Sequence, residues 1–119
     1  MRISYSGLLL AVTLFAAGTT ACGASFPPPN DEWAAAQSDV GAAQAGGAPD
    51  VPDAKLHLQL SQEDLQKSKE LLDKDNKRAA SLIAVARVEA QLALKLAKAS
   101  QAAAQAHQAQ AELAKAKGN

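Results

Sequence analysis

The fold is decided by the stretch DAKLHLQLSQEDLQKSKELLDKDNKRAASLIAVARVEAQLALKLAKASQAAAQAHQAQAELAKAK, Asp53–Lys117, whose 65 residues include neither glycine nor proline. Because these two residues are the least compatible with a helix interior, their absence predicts helix over most of the stretch. Residues 73–78 are six consecutive polar positions in which Asp and Asn are poor helix formers. They favour a tight turn near Lys74–Asn76. A seven-residue register also runs through them, so one continuous helix stays an alternative.

Apolar and small residues recur every three or four positions on both sides of this turn. The segment at about 53–73 places Leu58, Leu65 and Leu72 seven residues apart, with small residues between them. The segment at about 76–117 continues the pattern mostly with alanine, at Ala79, Ile83, Ala86, Ala90, Ala93 and Ala97, flanked by Leu82, Val85, Leu92 and Leu96. Small side chains allow two helix axes to approach closely. We therefore predict an all-α fold built on an antiparallel, coiled-coil-like, alanine-rich helical hairpin with a long C-terminal helix.

A short first helix is predicted at about 31–45. Asn30 or Asp31 can cap its start, and its apolar face is formed by Trp33, Ala36, Val40 and Ala43. We expect Trp33 to be the core anchor of this helix. Gly46 and Gly47 should end it. The helical domain then spans 31–117.

One segment has an alternative interpretation. Leu56–Leu60 alternates like a strand and precedes a capping-box pattern at Ser61–Asp64. Because a single strand without a pairing partner is unstable, we predict helix there.

The two halves of the predicted hairpin carry opposite charge. Residues 22–75 contain ten acidic and four basic side chains, and residues 76–119 contain seven basic and two acidic ones. Antiparallel pairing brings these halves together and uses the last helix only to about Ala97. Residues 98–117 are therefore expected to project from the hairpin, and either to fray in the isolated protein or to become ordered against a second copy or another protein.

Composition argues against several functions. Alanine supplies 29 of the 119 residues, aromatic residues are scarce and the formal net charge is zero. Such a chain lacks the stacking aromatics and the basic surplus of a nucleic-acid-binding protein. His57 and His107 are far apart in the sequence; we expect His57 to face solvent and His107 to interrupt the alanine pattern. We predict no catalytic residues, no metal site and no cofactor, and hence no enzyme.

The N-terminus has the organisation of a secretory signal. Arg2 precedes an apolar run, Leu8–Ala17, which is shorter than the roughly 20 residues of a membrane-spanning helix. The sequence Thr19-Thr20-Ala21-Cys22 resembles a bacterial lipobox. This resemblance implies that residues 1–21 are a lipoprotein signal peptide and that Cys22 is lipidated; ordinary signal cleavage is the alternative. Gly23 after the cysteine implies, by the same resemblance, the periplasmic face of the cell outer membrane.

Residues 22–30 form a proline-rich tether between this cysteine and the first helix. Three consecutive prolines, Pro27–Pro29, favour an extended and fairly stiff conformation. We therefore expect a short spacer that keeps the helices close to the membrane.

The helical body resembles a known family. The matching features are Asp39-Val40, the Leu58…Leu65…Leu72 spacing and, most densely, the segment Ala86–Ala93. These resemble small bacterial lipoproteins with an alanine-rich helical domain of unknown function, a domain also found ahead of OmpA-like peptidoglycan-binding domains. The resemblance implies a helical fold and an envelope location, without an activity.

The expected function is that of an exported, lipid-anchored, non-catalytic interaction or scaffolding module. A structural spacer between outer membrane and cell wall is the alternative, although the enteric lipoprotein of that kind is attached to peptidoglycan through a C-terminal lysine, and here Lys117 is followed by two further residues.

Overall fold

The computed structural model describes residues 25–118, and this part of the chain is all-α. Three α-helices follow one another, α1 (Asn30–Ala45), α2 (Pro52–Leu71) and α3 (Asn76–Lys117), with a single 3₁₀ turn, Ala48–Asp50, between α1 and α2. Each helix begins and ends within two residues of the bounds expected from the sequence. The strand-like segment Leu56–Leu60 is helical.

α2 and α3 form an antiparallel hairpin. The Ser61 hydroxyl donates a hydrogen bond to the Ala86 carbonyl oxygen, at 2.6 Å, and His57, one turn earlier on α2, contacts Glu89, one turn later on α3. The two helices therefore run in opposite directions. The single continuous helix that the register would allow does not form.

The connection Leu72–Asp75 reverses the chain and prepares the start of α3. Asp73 has a left-handed φ of 65°, a conformation that Asp and Asn tolerate better than most residues. Its backbone N–H donates to the Asn76 side-chain oxygen at 2.8 Å. The Asp75 carboxylate accepts the Arg78 N–H at 3.0 Å and caps α3. The polar run thus supplies both the turn and the helix cap.

The core between α2 and α3 is a narrow row of small residues with a few large ones, which we call the seam. Its members are Ala54, Leu58, Ser61, Leu65 and Ser68 on α2 and Ala79, Ile83, Ala86, Ala90, Ala93 and Ala97 on α3, all of them buried. Ile83 is the largest fully buried side chain in the described residues. Val85 and Leu92, expected beside the seam, remain 48% and 37% exposed. The hairpin therefore depends on close approach of the helices more than on large buried side chains.

α1 packs on the hairpin and runs parallel to α3. Three contacts fix this direction: Asn76 donates to the Phe26 carbonyl, Arg87 to the Asp39 carboxylate, and Gln101 to the Gly46 carbonyl. Ala36, Val40 and Ala43 are buried, as its apolar face predicts. α1 ends at Ala45, where Gly46 has no side chain to collide with Leu94 and Gly47 adopts a left-handed φ of 88°.

The predicted cap of α1 is wrong. The helix begins at Asn30 itself, so the capping position belongs to Pro29, which has no side-chain acceptor. The Pro29 carbonyl accepts the Trp33 N–H instead, as the first bond of the helix. Ser61–Asp64 is likewise inside α2, which starts at Pro52.

We expect cysteines at positions 65 and 82 to crosslink within one chain. Since Ser61 meets Ala86, the residue four positions further along α2, Leu65, lies opposite Leu82 on α3. In a Cys22→Ser background, a short bifunctional thiol reagent should join Leu65→Cys and Leu82→Cys in the monomer. The control pair Leu65→Cys and Leu113→Cys should stay unlinked. Crosslinks found only between chains would contradict the hairpin, because a continuous helix would separate the first pair by about 25 Å.

Candidate functional site

α3 extends well beyond the bundle. Ala97 is its last buried residue, and every residue from 98 to 118 is exposed. We call residues 98–117 the arm. At 1.5 Å per residue it is about 30 Å long. This uncovered helix is the most conspicuous candidate for a functional surface in the described part of the chain.

The arm continues the seam without a helix to cover it. The seven-residue register that buries Ala90 and Ala97 in the bundle leads along the arm to Ser100, Ala104, His107, Ala111 and Ala114, all exposed. The opposite face carries alanine as well, at Ala102, Ala109 and Ala116. His107 lies in the middle of the continued seam, where the sequence predicts an interruption.

The arm is weakly basic and offers little large apolar surface. It carries three lysines, Lys98, Lys115 and Lys117, against one acid, Glu112. Leu113 is its single large hydrophobic side chain and is 61% exposed. Lysines near the C-terminal end of a helix interact favourably with the helix dipole and help to keep the end helical.

Deleting residues 102–119 should leave the stability of the bundle almost unchanged. The deletion retains Gln101, whose side chain bonds the Gly46 carbonyl at 3.0 Å, and the described residues that it removes, 102–118, are all exposed. We expect the thermal midpoint of the Cys22→Ser protein to shift by less than about 3 °C, since exposed positions contribute about 0.5 kcal/mol or less. A fall of 10 °C or more in calorimetry would mean that the arm packs on the bundle.

The N-terminal segment reaches the bundle at the end opposite to the arm. The Phe26 carbonyl accepts a hydrogen bond from Asn76, at the start of α3. Cys22 lies outside the described residues, four positions before Phe26, and four residues span at most about 14 Å. Its lipidation stays a prediction. The described part of the tether does not stand free, because Pro29 is buried and Phe26 is bonded to the hairpin turn.

His57 is not solvent-facing, and that prediction is wrong. Its side chain is half-buried, and its Nδ1 lies 2.5 Å from a carboxylate oxygen of Glu89. The close approach of α2 and α3 brings together these two residues, which are 32 positions apart.

The opposite charges of the two halves meet in an ion pair between α1 and α3. Arg87 on α3 pairs with Asp39 on α1 at 3.0 Å, and Gln91 donates to the same carboxylate at 3.3 Å.

A groove of about 470 Å³ separates α1 from α2. Its lining residues are Trp33, Gln37, Val40, Gly41, Gln44, Gln62, Leu65, Gln66 and Lys69. Trp33 is half-buried against the core; the Lys69 ammonium lies 5.8 Å from its ring centroid, and its indole N–H is buried without a hydrogen-bond partner. The lining supplies amides and one ammonium but no carboxylate, thiol or imidazole, the groups that most often provide acid–base or nucleophilic chemistry.

Two features are absent from residues 25–118. No three His, Cys, Asp or Glu side chains there form a group that could hold a metal ion. None of the helices in this range is both long enough and apolar enough to span a bilayer.

Comparisons of the chain with protein-family models, with curated proteins and with solved structures find no match.

Proposed function

We propose that this protein is exported, anchored in the cell outer membrane by lipid on Cys22, and serves on the periplasmic face as a non-catalytic helical interaction or scaffolding module. The observation that supports this function is the arm, a fully exposed helix that continues the buried seam. The lipobox-like sequence at Cys22 supports the anchor.

The direction of α1 determines which end of the bundle would lie at the membrane in this proposal. Because α1 runs parallel to α3, the residues that follow Cys22 reach the bundle at its turn end, beside Asn76. The arm leaves from the other end. α3 has 42 residues and is about 63 Å long. A lipid on Cys22 would thus hold the turn end at the membrane and present the arm to an envelope protein farther away.

Replacing Cys22 by serine should release the protein from the membrane. The anchor consists of acyl chains on this residue, and stable attachment requires more than one such chain. After metabolic labelling with a fatty acid, the native chain should be labelled and should fractionate with outer membranes. The Cys22→Ser variant should be unlabelled and absent from the membrane fraction. Ser25→Ala, three residues away, is the matched control and should behave as the native chain.

Two results would count against the anchor. An unlabelled native chain would show that Cys22 carries no lipid. Membrane association that persists in Cys22→Ser would show that another part of the chain binds the membrane.

A structural spacer between outer membrane and peptidoglycan is a second candidate, favoured by the length of α3. Lys117 lies at the far end of this helix and could reach a layer roughly 60 Å from the turn. Muropeptide analysis should then find the chain on peptidoglycan in the native strain and lose it in Lys117→Arg, with Lys115→Arg as control. A chain absent from native muropeptides would eliminate covalent attachment.

A further inference from the structure

The bundle itself shows what kind of helix covers the seam of α3. α2 lies antiparallel to it and places leucine at positions 58 and 65. Ser61 lies between these leucines, and Ser68 follows the second one. The leucines fill the space above the alanines, and the serines let the backbones approach. The Ser61 hydroxyl reaches the Ala86 carbonyl at 2.6 Å. An α3 seam of alanines is thus complementary to a helix that alternates leucine with small residues.

The seam does not stop where α2 stops. Ala104, Ala111 and Ala114 continue the register of Ala90 and Ala97 into the arm. The uncovered surface is therefore continuous with an interface that this protein already forms and has the same small-residue character. Continuity predicts that its occupant has the pattern of α2: antiparallel, with leucine every seventh residue.

The charge of the arm indicates whether its partner is a second copy of this chain or another protein. Three lysines and one glutamate make the arm basic. In an antiparallel pair of arms, Lys115 and Lys117 of one chain would lie near Lys98 of the other. In a parallel pair, the lysines of the two chains would lie at the same levels along the pair. Both arrangements bring like charges together, which opposes association. An acidic helix meets no such repulsion.

We infer that the arm binds an acidic, leucine-heptad helix of another envelope protein, antiparallel to α3 and end to end with α2. This inference rests on the proposed scaffolding function and names the class of partner. Its test uses the soluble Cys22→Ser chain, so that its outcome is independent of whether Cys22 is lipidated.

The probe is a fluorescent synthetic peptide with the sequence of residues 52–72, in which Lys55, Lys67 and Lys69 are replaced by glutamate. Fluorescence anisotropy measures its binding. A second peptide with the additional changes Leu58→Ala, Leu65→Ala and Leu72→Ala has the same charge and lacks the three leucines of the seven-residue pattern. We expect the first peptide to bind at least about tenfold more tightly than the second, and its binding to weaken with salt.

A matched pair of protein variants locates the binding surface. Ala104→Glu with Ala111→Glu places two charges on the continued seam, and Ala102→Glu with Ala109→Glu places the same two on the opposite face. Net charge and helix propensity are equal in the two proteins. The seam variant should lose at least about tenfold in affinity, because it would bury unpaired carboxylates, and the opposite-face variant less than about threefold.

Several results would overturn the inference. No binding of the acidic peptide at millimolar concentration would do so, as would equal effects of the two variants. Undiminished binding after deletion of residues 102–119 would mean that the peptide exchanges with α2 instead. Dimerisation in sedimentation equilibrium that is lost only in the seam variant would assign the surface to a second copy of the chain.

Discussion

Ser61→Leu is expected to destabilise the bundle by about 2–4 kcal/mol. Ser61 is fully buried, and its hydroxyl lies 2.6 Å from the Ala86 carbonyl of α3. A leucine there has no space unless α2 and α3 move apart, and overpacking of this kind costs about 1–3 kcal/mol. The lost hydrogen bond adds about 1 kcal/mol. Urea unfolding followed by far-UV circular dichroism measures the change in the free energy of unfolding.

Ser81→Leu is the control for this prediction. Ser81 is exposed on α3, and its hydroxyl bonds only the Lys77 carbonyl within the same helix. The same change there should alter the free energy of unfolding by about 0.5 kcal/mol or less. Equal effects at the two positions would show that the seam is not closely packed at Ser61.

Ile83→Ala should cost about 2–4 kcal/mol, the other large effect. Ile83 is the largest fully buried side chain in the described residues, and most of the other members of the buried core are alanines. A truncation of this kind loses the transfer free energy of the removed carbons and leaves a cavity. For a domain of this size, each kcal/mol lowers the thermal midpoint by about 4–8 °C, which calorimetry measures directly.

Val88→Ala is the comparison for Ile83→Ala, since Val88 is 64% exposed on the same helix. Its thermal midpoint should stay within a few degrees of that of the native chain. A loss at Val88 as large as that at Ile83 would indicate that another molecule covers the outer face of α3.

The elements and the seam could be predicted because both depend on local pattern. Glycine and proline mark the ends of α1, the polar run at 73–78 contains the turn, and a three- and four-residue spacing identifies the buried face of each helix. The burial of Ala86 and Ala90 could be predicted because alanine that recurs at a helical interval indicates close contact with a neighbouring helix. The arm was predicted from the difference in length between α2 and α3.

Contacts between helices could not be predicted in the same way. The environment of His57 depends on Glu89, which the hairpin brings to within 2.5 Å. Nothing near His57 in the sequence indicates that neighbour, although an isolated acid in the basic half is a weak signal. The direction of α1 depends on bonds such as that between Asn76 and Phe26. The sequence therefore predicts that the arm exists but not that it leaves from the end opposite to the N-terminal segment.

The row of alanines along α3 also has a mechanical consequence. Apart from Ile83, every buried position of α3 is alanine, so most of the row presents α2 with nearly the same surface after a slide of seven residues, about 10.5 Å. Three features oppose such a slide. Ile83 would leave its place in the seam, and His57 would face Leu96 in place of Glu89. The connection Leu72–Asp75 would have to give up its turn and extend over the added distance. In this bundle the alanines let the helices approach, and Ile83, the short turn and a few polar contacts fix their alignment.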